Sequence, residues 1–127
     1  MQNGYNASGN RTSVTYPSGK IVEYDYDLNG RTSQIDVNSN PLVGFTYDPL
    51  DRRELKSFAT PSALETAYTI DLAEQLQTIQ NRINGGGVIS QDQYTYDNVG
   101  NRLSHMSLAQ SFTYGYNDIY ELTSRDE

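Results

Sequence analysis

Asp25, Asp27 and Asn29, followed by Gly30 and later by Asp36, offer oxygen donors at alternate positions. That spacing resembles a calcium loop, in which carboxylates and amides wrap a hard cation while a glycine makes the sharp turn. Such a loop needs a helix on each side. Here Tyr24, Tyr26, Ile35 and Val37 alternate as strand residues do, and Thr32 fills a position that is ordinarily apolar. Thr46 and Thr95 stand where the related segments would need the first aspartate. The sequence therefore predicts a hairpin turn at Asp27–Gly30 and no metal. His105 is the single histidine and there is no cysteine, so two-histidine and thiolate zinc sets are ruled out. A Ser–His–Asp relay needs an exposed nucleophile on a strained turn, and no such pattern occurs. Gly85-Gly86-Gly87 lacks the Lys-Ser/Thr of a phosphate loop. The carboxylate pairs Asp25/Asp27 and Asp126/Glu127 read as turn and tail residues. No catalytic residue, cofactor or metal is expected, and the chain is not expected to be an enzyme.

The elements that hold these residues follow a period. Tyr5-Asn6-Ala7-Ser8-Gly9-Asn10-Arg11 returns as Tyr26-Asp27-Leu28-Asn29-Gly30-Arg31, as Tyr47-Asp48-Pro49-Leu50-Asp51-Arg52 and as Tyr96-Asp97-Asn98-Val99-Gly100-Asn101-Arg102. Weaker copies begin at Ile70 and Tyr116. Anchors at 5, 26, 47, 70, 96 and 116 give steps of 21, 21, 23, 26 and 20 residues. An aromatic stands two before each later anchor: Tyr24, Phe45, Tyr68, Tyr94 and Tyr114. Residues two apart share one face of a strand. Asp at the head of a type I turn accepts bonds from N–H groups ahead of it, and Gly at its end takes φ > 0. A second turn follows about halfway, at Pro17-Ser18-Gly19, Asn38-Ser39-Asn40-Pro41, Pro61-Ser62 or Asn84-Gly85. Each repeat is thus two strands and two turns. Stacked hairpins bury a stripe that one hairpin alone cannot.

Composition agrees. The 127 residues include 11 Tyr, 3 Phe and no Trp, and only 35% are hydrophobic; mean hydropathy is −0.70. A thin repetitive fold needs less buried area than a globule. The net charge of −7, with 9 scattered basic residues, argues against nucleic acid or an anionic membrane as a partner. No signal peptide or transmembrane stretch is evident, and the pattern opens mid-phrase at Tyr5, as expected of a piece of a longer array. Residues 62–84 admit a rival reading. Ser62-Ala63-Leu64-Glu65 resembles a capping box, Leu72, Leu76, Ile79 and Ile83 fall at helical spacing, and Gly85 would suit a C-cap. Because the period continues on both sides, strand is the preferred reading.

The Tyr-x-Tyr-Asp-x-x-Gly-Arg phrase, best seen at Tyr24–Arg31 and Tyr94–Arg102, resembles the tyrosine-aspartate (YD) repeats of the Rhs family. Bacterial Rhs toxins, shell-forming components of insecticidal toxin complexes and teneurins carry such repeats. The resemblance implies an all-β fold of antiparallel hairpins in a spiralling sheet, with residues 1–127 forming one segment of a β-shell. It implies a structural role in enclosing or scaffolding an effector polypeptide, within a larger secreted or cell-surface bacterial protein. Partners would be flanking repeats, edge-to-edge copies and an enclosed effector. The self-cleaving aspartates and the effector domain of the family find no match here. The positions expected to carry the repeat are Tyr24, Tyr26, Asp27, Gly30, Arg31, Phe45, Tyr47, Asp48, Arg52, Tyr94, Tyr96, Asp97, Gly100, Arg102, Tyr114 and Tyr116. The arginines Arg11, Arg31, Arg52 or Arg53, and Arg102 are expected to bond turn aspartates or stack on tyrosine rings. The alternative is a carbohydrate-binding or adhesion module that uses tyrosine-rich strand faces. Burial of the tyrosine ladder would remove its platform.

Overall fold

A computed structural model describes residues 1–59, 63–83 and 86–127. Among these the regular elements are all strands, and they fall into two compact units, Met1–Leu64 and Glu65–Glu127. The first unit holds β1 (Gln2–Tyr5), β2 (Arg11–Thr15), β3 (Ile21–Tyr26), β4 (Thr32–Val37), β5 (Asn40–Tyr47) and β6 (Arg53–Phe58). The second holds β7 (Leu64–Ile70), β8 (Leu76–Ile83), β9 (Val88–Tyr96), β10 (Arg102–Ser107), β11 (Ser111–Tyr116) and β12 (Leu122–Asp126). Within each unit every strand lies beside the next in sequence, and the registered pairs are antiparallel. The all-β expectation holds. Residues 63–83 take the strand reading, because Leu76 and Ile79 lie in β8 while Leu72 sits on the turn before it. Ser62 and Gly85, the proposed helix caps, and the turns at Pro61-Ser62 and Asn84-Gly85 lie outside the described residues.

Alternation gives each unit an apolar face and a polar one. In the first unit Tyr24 opposes Ile35, Ile35 opposes Val43, and Val43 opposes Phe58. Val14 opposes Val22, which opposes Val37. The intervening positions pair Glu23 with Asp36, Asp25 with Gln34, and Gln34 with Gly44. Only Val14, Val43 and Phe112 are buried apolar residues among those described. Most ladder side chains are half-buried, as a single layer of hairpins requires.

Candidate functional site

The site the sequence points to is the repeat itself, and its turn is built alike six times. In the first complete copy, Asp27 N donates to Arg31 O at 2.9 Å and Gly30 N to Asp27 O at 3.0 Å. Asp27 Oδ1 accepts from the backbone N–H groups of Asn29 and Arg31 at 3.0 and 2.9 Å. The same pair of side-chain bonds recurs from Asn6, Asp48, Asp71, Asp97 and Asn117. The fourth turn residue has φ > 0: Gly9, Gly30 and Gly100, but also Asp51, Glu74 and Tyr120. This is a type I turn followed by a bulge residue in the left-handed region. The register shift it causes falls beside each anchor, as between Asp25 and Tyr26. The halfway turns vary: Tyr16–Lys20 repeats the same backbone bonds with Gly19 at φ > 0, whereas Asn38 and Ser39 both have φ > 0, the two-residue turn that matches strand twist.

The second aspartate oxygen is used by the side chain four residues on. Asp27 Oδ2 receives Arg31 at 2.6 Å, Asp48 Oδ2 receives Arg52 at 2.7 Å, and Asp97 Oδ2 receives Asn101 Nδ2 at 2.9 Å. Arg31 also reaches Asp51 at 2.6 Å, joining two successive turns. The Arg31 guanidinium, with the turn N–H bonds, holds the Asp27 carboxyl below its ordinary value, and Asp27 in return raises Arg31. For Asp48 and Asp97, burial pushes upward, but the bonds from Arg52 and Leu50, and from Asn101, Val99 and Gly100, together outweigh it.

The anchor tyrosines do something the sequence did not disclose. Tyr26 hydroxyl donates to Arg11 O at 2.7 Å, Tyr47 to Thr32 O at 2.8 Å, Tyr96 to Leu76 O at 2.8 Å and Tyr116 to Arg102 O at 2.9 Å. Each hydroxyl thus ties its repeat to a carbonyl just past the preceding Asp turn. Ile70 has no hydroxyl to give. Guanidinium groups cover the rings: Arg11 over Tyr24, Arg31 over Tyr47, Arg53 over Phe45, Arg102 over Tyr94 and Arg125 over Phe112, at 4.1–5.1 Å from the centroids. Arg52 and Arg53 divide the two roles, one on the aspartate and one on the ring.

Residues 5–41 match the family model of the RHS repeat. Over those residues the chain is similar to an RHS repeat, and the match covers less than a third of its length. Its backbone is similar to TcdB2-TccC3 (21% identity, TM-score 0.80), covering 97% of this chain and 7% of that one. It is equally similar to TcdB2-TccC3 without its hypervariable C-terminal region (21%, 0.80, 97% and 7%). The Photorhabdus luminescens Tc holotoxin pore gives 21% identity and a TM-score of 0.79, over 97% of this chain and 6% of that chain. The chain therefore spans a small fraction of the structures it matches. No curated protein matches it.

The hairpin repeats place the remaining candidates apart from one another. Asp27 is committed to its turn, Asp25 opposes Gln34 on β4, and Asp36 opposes Glu23. Among the described residues no group of three or more His, Asp or Glu gathers as a metal set. His105 Nε2 lies 2.7 Å from Asp92 Oδ1, with its ring stacked between Tyr94 and Phe112 at 4.9 and 6.0 Å. Both ring faces are thereby occupied by aromatics of neighbouring strands. Tyr68 and Tyr114, also predicted ladder members, lie half-buried in β7 and β11.

Proposed function

We propose that this Rhs-repeat chain is wall material: a non-catalytic segment of a shell that encloses an effector polypeptide within a larger secreted or cell-surface bacterial protein. The observation that carries the reading is where the polar groups of the repeat are spent. Four anchor hydroxyls bond backbone carbonyls of the adjoining repeat, and Asp oxygens bond their own turns. Groups spent in this way hold strands together. The fold similarity to TcdB2-TccC3 supports the same reading.

The carbohydrate-binding alternative needs open aromatic faces. Guanidinium groups lie over Tyr24, Tyr47, Tyr94, Phe45 and Phe112, which counts against those five rings as sugar platforms. Protease protection tests the enclosing role. In the intact parent protein the effector should resist digestion, and deletion of one repeat from this segment should expose it. An effector digested equally fast in both proteins would defeat the proposal, and glycan-array binding lost on Tyr94→Ala would favour the alternative.

A further inference from the structure

Four anchor hydroxyls obey one rule. Their acceptors Arg11, Thr32, Leu76 and Arg102 each stand five residues after the head of a turn, at Asn6, Asp27, Asp71 and Asp97. In each case the residue two after the acceptor lies opposite the residue three before the anchor tyrosine: Ser13 with Glu23, Gln34 with Gly44, Thr78 with Gln93, and Ser104 with Thr113. A slip of one residue would turn every side chain of a strand to the other face. The hydroxyl tie and the register that keeps the apolar face together therefore come as one unit.

The two outer strands each hold one half of a fifth such tie. Tyr5 on β1 is an anchor, 62% exposed, and its hydroxyl has no partner among the described residues. Leu122 on β12 stands five residues after Asn117, the head of the last turn, and among the described residues no tyrosine donates to its carbonyl. The hairpins that carry them are alike. Tyr5 pairs with Arg11 and Tyr116 with Leu122, each beside a bulge at the glycine before the tyrosine. Gly4 and Gly115 lie opposite Ser13 and Ser124, whose hydroxyl oxygens crowd the space a Cβ would take. β12 thus repeats β2, with Leu122-Thr123-Ser124 in place of Arg11-Thr12-Ser13. β2 already carries a strand that ends in a tied tyrosine, β3.

We propose that β12 of one copy pairs antiparallel with β1 of a second copy, the Tyr5 hydroxyl donating to Leu122 O. The rule then fixes the register: Gln2 lies opposite Ser124 and Asn3 opposite Thr123. A second copy is the occupant because the chain carries donor and acceptor on separate strands, each in the setting that the four internal ties use. Charge does not oppose the contact where the strands meet, since Gln2, Asn3, Gly4 and Tyr5 face Leu122, Thr123 and Ser124 with no charged residue on either side. The net charge of −7 repels at longer range, and salt weakens that repulsion. Donor and acceptor strands differ, so the contact is head-to-tail and continues from copy to copy. It goes beyond the enclosing role and does not depend on it.

Disulfide pairing reads the register, because the chain has no cysteine of its own. Directly opposed residues have Cα atoms about 4.5–5.5 Å apart, within disulfide reach, whereas an offset of two residues leaves about 7–8 Å. Asn3→Cys and Thr123→Cys chains are mixed and oxidised, with Asn3→Cys plus Arg125→Cys as the offset control. The in-register pair should give disulfide heterodimers several-fold above the control and above both homodimers. Equal yields would overturn the proposal. Sedimentation velocity supplies a second readout. Tyr5→Phe should raise the dissociation constant about fivefold, the loss of one hydrogen bond. It should leave the urea stability of the dilute chain unchanged, since that hydroxyl is unspent within one copy. A Tyr5→Phe chain that associates as tightly as the parent, or a parent chain that is monomeric at every soluble concentration, would overturn it as well.

Discussion

A tyrosine hydroxyl on a backbone carbonyl adds a bond to ring burial, and the two contributions can be separated. Tyr96→Phe removes only the bond to Leu76 O and should cost about 1 kcal/mol. Tyr96→Ala also removes a half-buried ring, at about 2–4 kcal/mol. Val88→Ala, at an exposed position at the start of β9, should cost less than about 1 kcal/mol. Urea denaturation of the three variants tests the order, and equal losses would place the ring in solvent. The turn carboxylates give a second residue-scale expectation. Asp27, Asp48 and Asp97 are all lowered from the ordinary 3.8. A depressed carboxylate stabilises the fold above its unfolded value, and the gain is lost as pH falls through the folded one. Stability should be flat near neutrality and decline below the ordinary aspartate value. Asp97→Asn should lessen the decline as well as lower the neutral plateau, whereas a decline unchanged in that variant would assign acid lability elsewhere.

Turns are the element on which the repeat depends, and not all six are equally relaxed. Glu74 and Tyr120 sit at φ 63° and 64°, where a Cβ costs about 1–2 kcal/mol relative to glycine. Glu74→Gly should therefore raise the unfolding free energy in urea, by up to about 1 kcal/mol after the extra freedom of the unfolded glycine is counted. Gly100→Ala, at φ 95°, should lower it by at least about 1 kcal/mol. The opposite signs make the pair a check on turn geometry. Much of this element was legible in the sequence: Asp and Gly mark the ends of a turn by the bonds and angles only they provide easily. The copies at Tyr47, Ile70 and Tyr116 lack that glycine, and those at Ile70 and Tyr116 were legible only through the period. The tyrosine ties were not legible, since their acceptor is a backbone carbonyl that every residue possesses. Nor was the choice of each arginine between ring and carboxylate, which register decides. The helical spacing from Leu72 to Ile83 misleads because Leu72 belongs to a turn. Far-UV circular dichroism should be strand-dominated, and a helix content above about a quarter would contradict the fold.

At the scale of the sheet, β1 and β12 each have a single strand neighbour among the described residues. β1 has β2 on one side and β12 has β11 on the other, so the outer backbone of each is unpaired in this chain. An exposed strand edge pairs readily with another chain unless charge, proline or a bulge blunts it. β12 is exposed at every residue and carries Arg125 and Asp126; β1 carries no charged residue. The net charge of −7 opposes close approach without satisfying a single N–H group. Light scattering over a dilution series should show mass that falls with concentration. Asn3→Lys with Thr123→Lys, which charges both edge strands, should reduce the mass. If the lysine variant scatters as the parent chain does, the edges are not the site of pairing. A parent chain that stays monomeric throughout would mean that both strand edges are already protected.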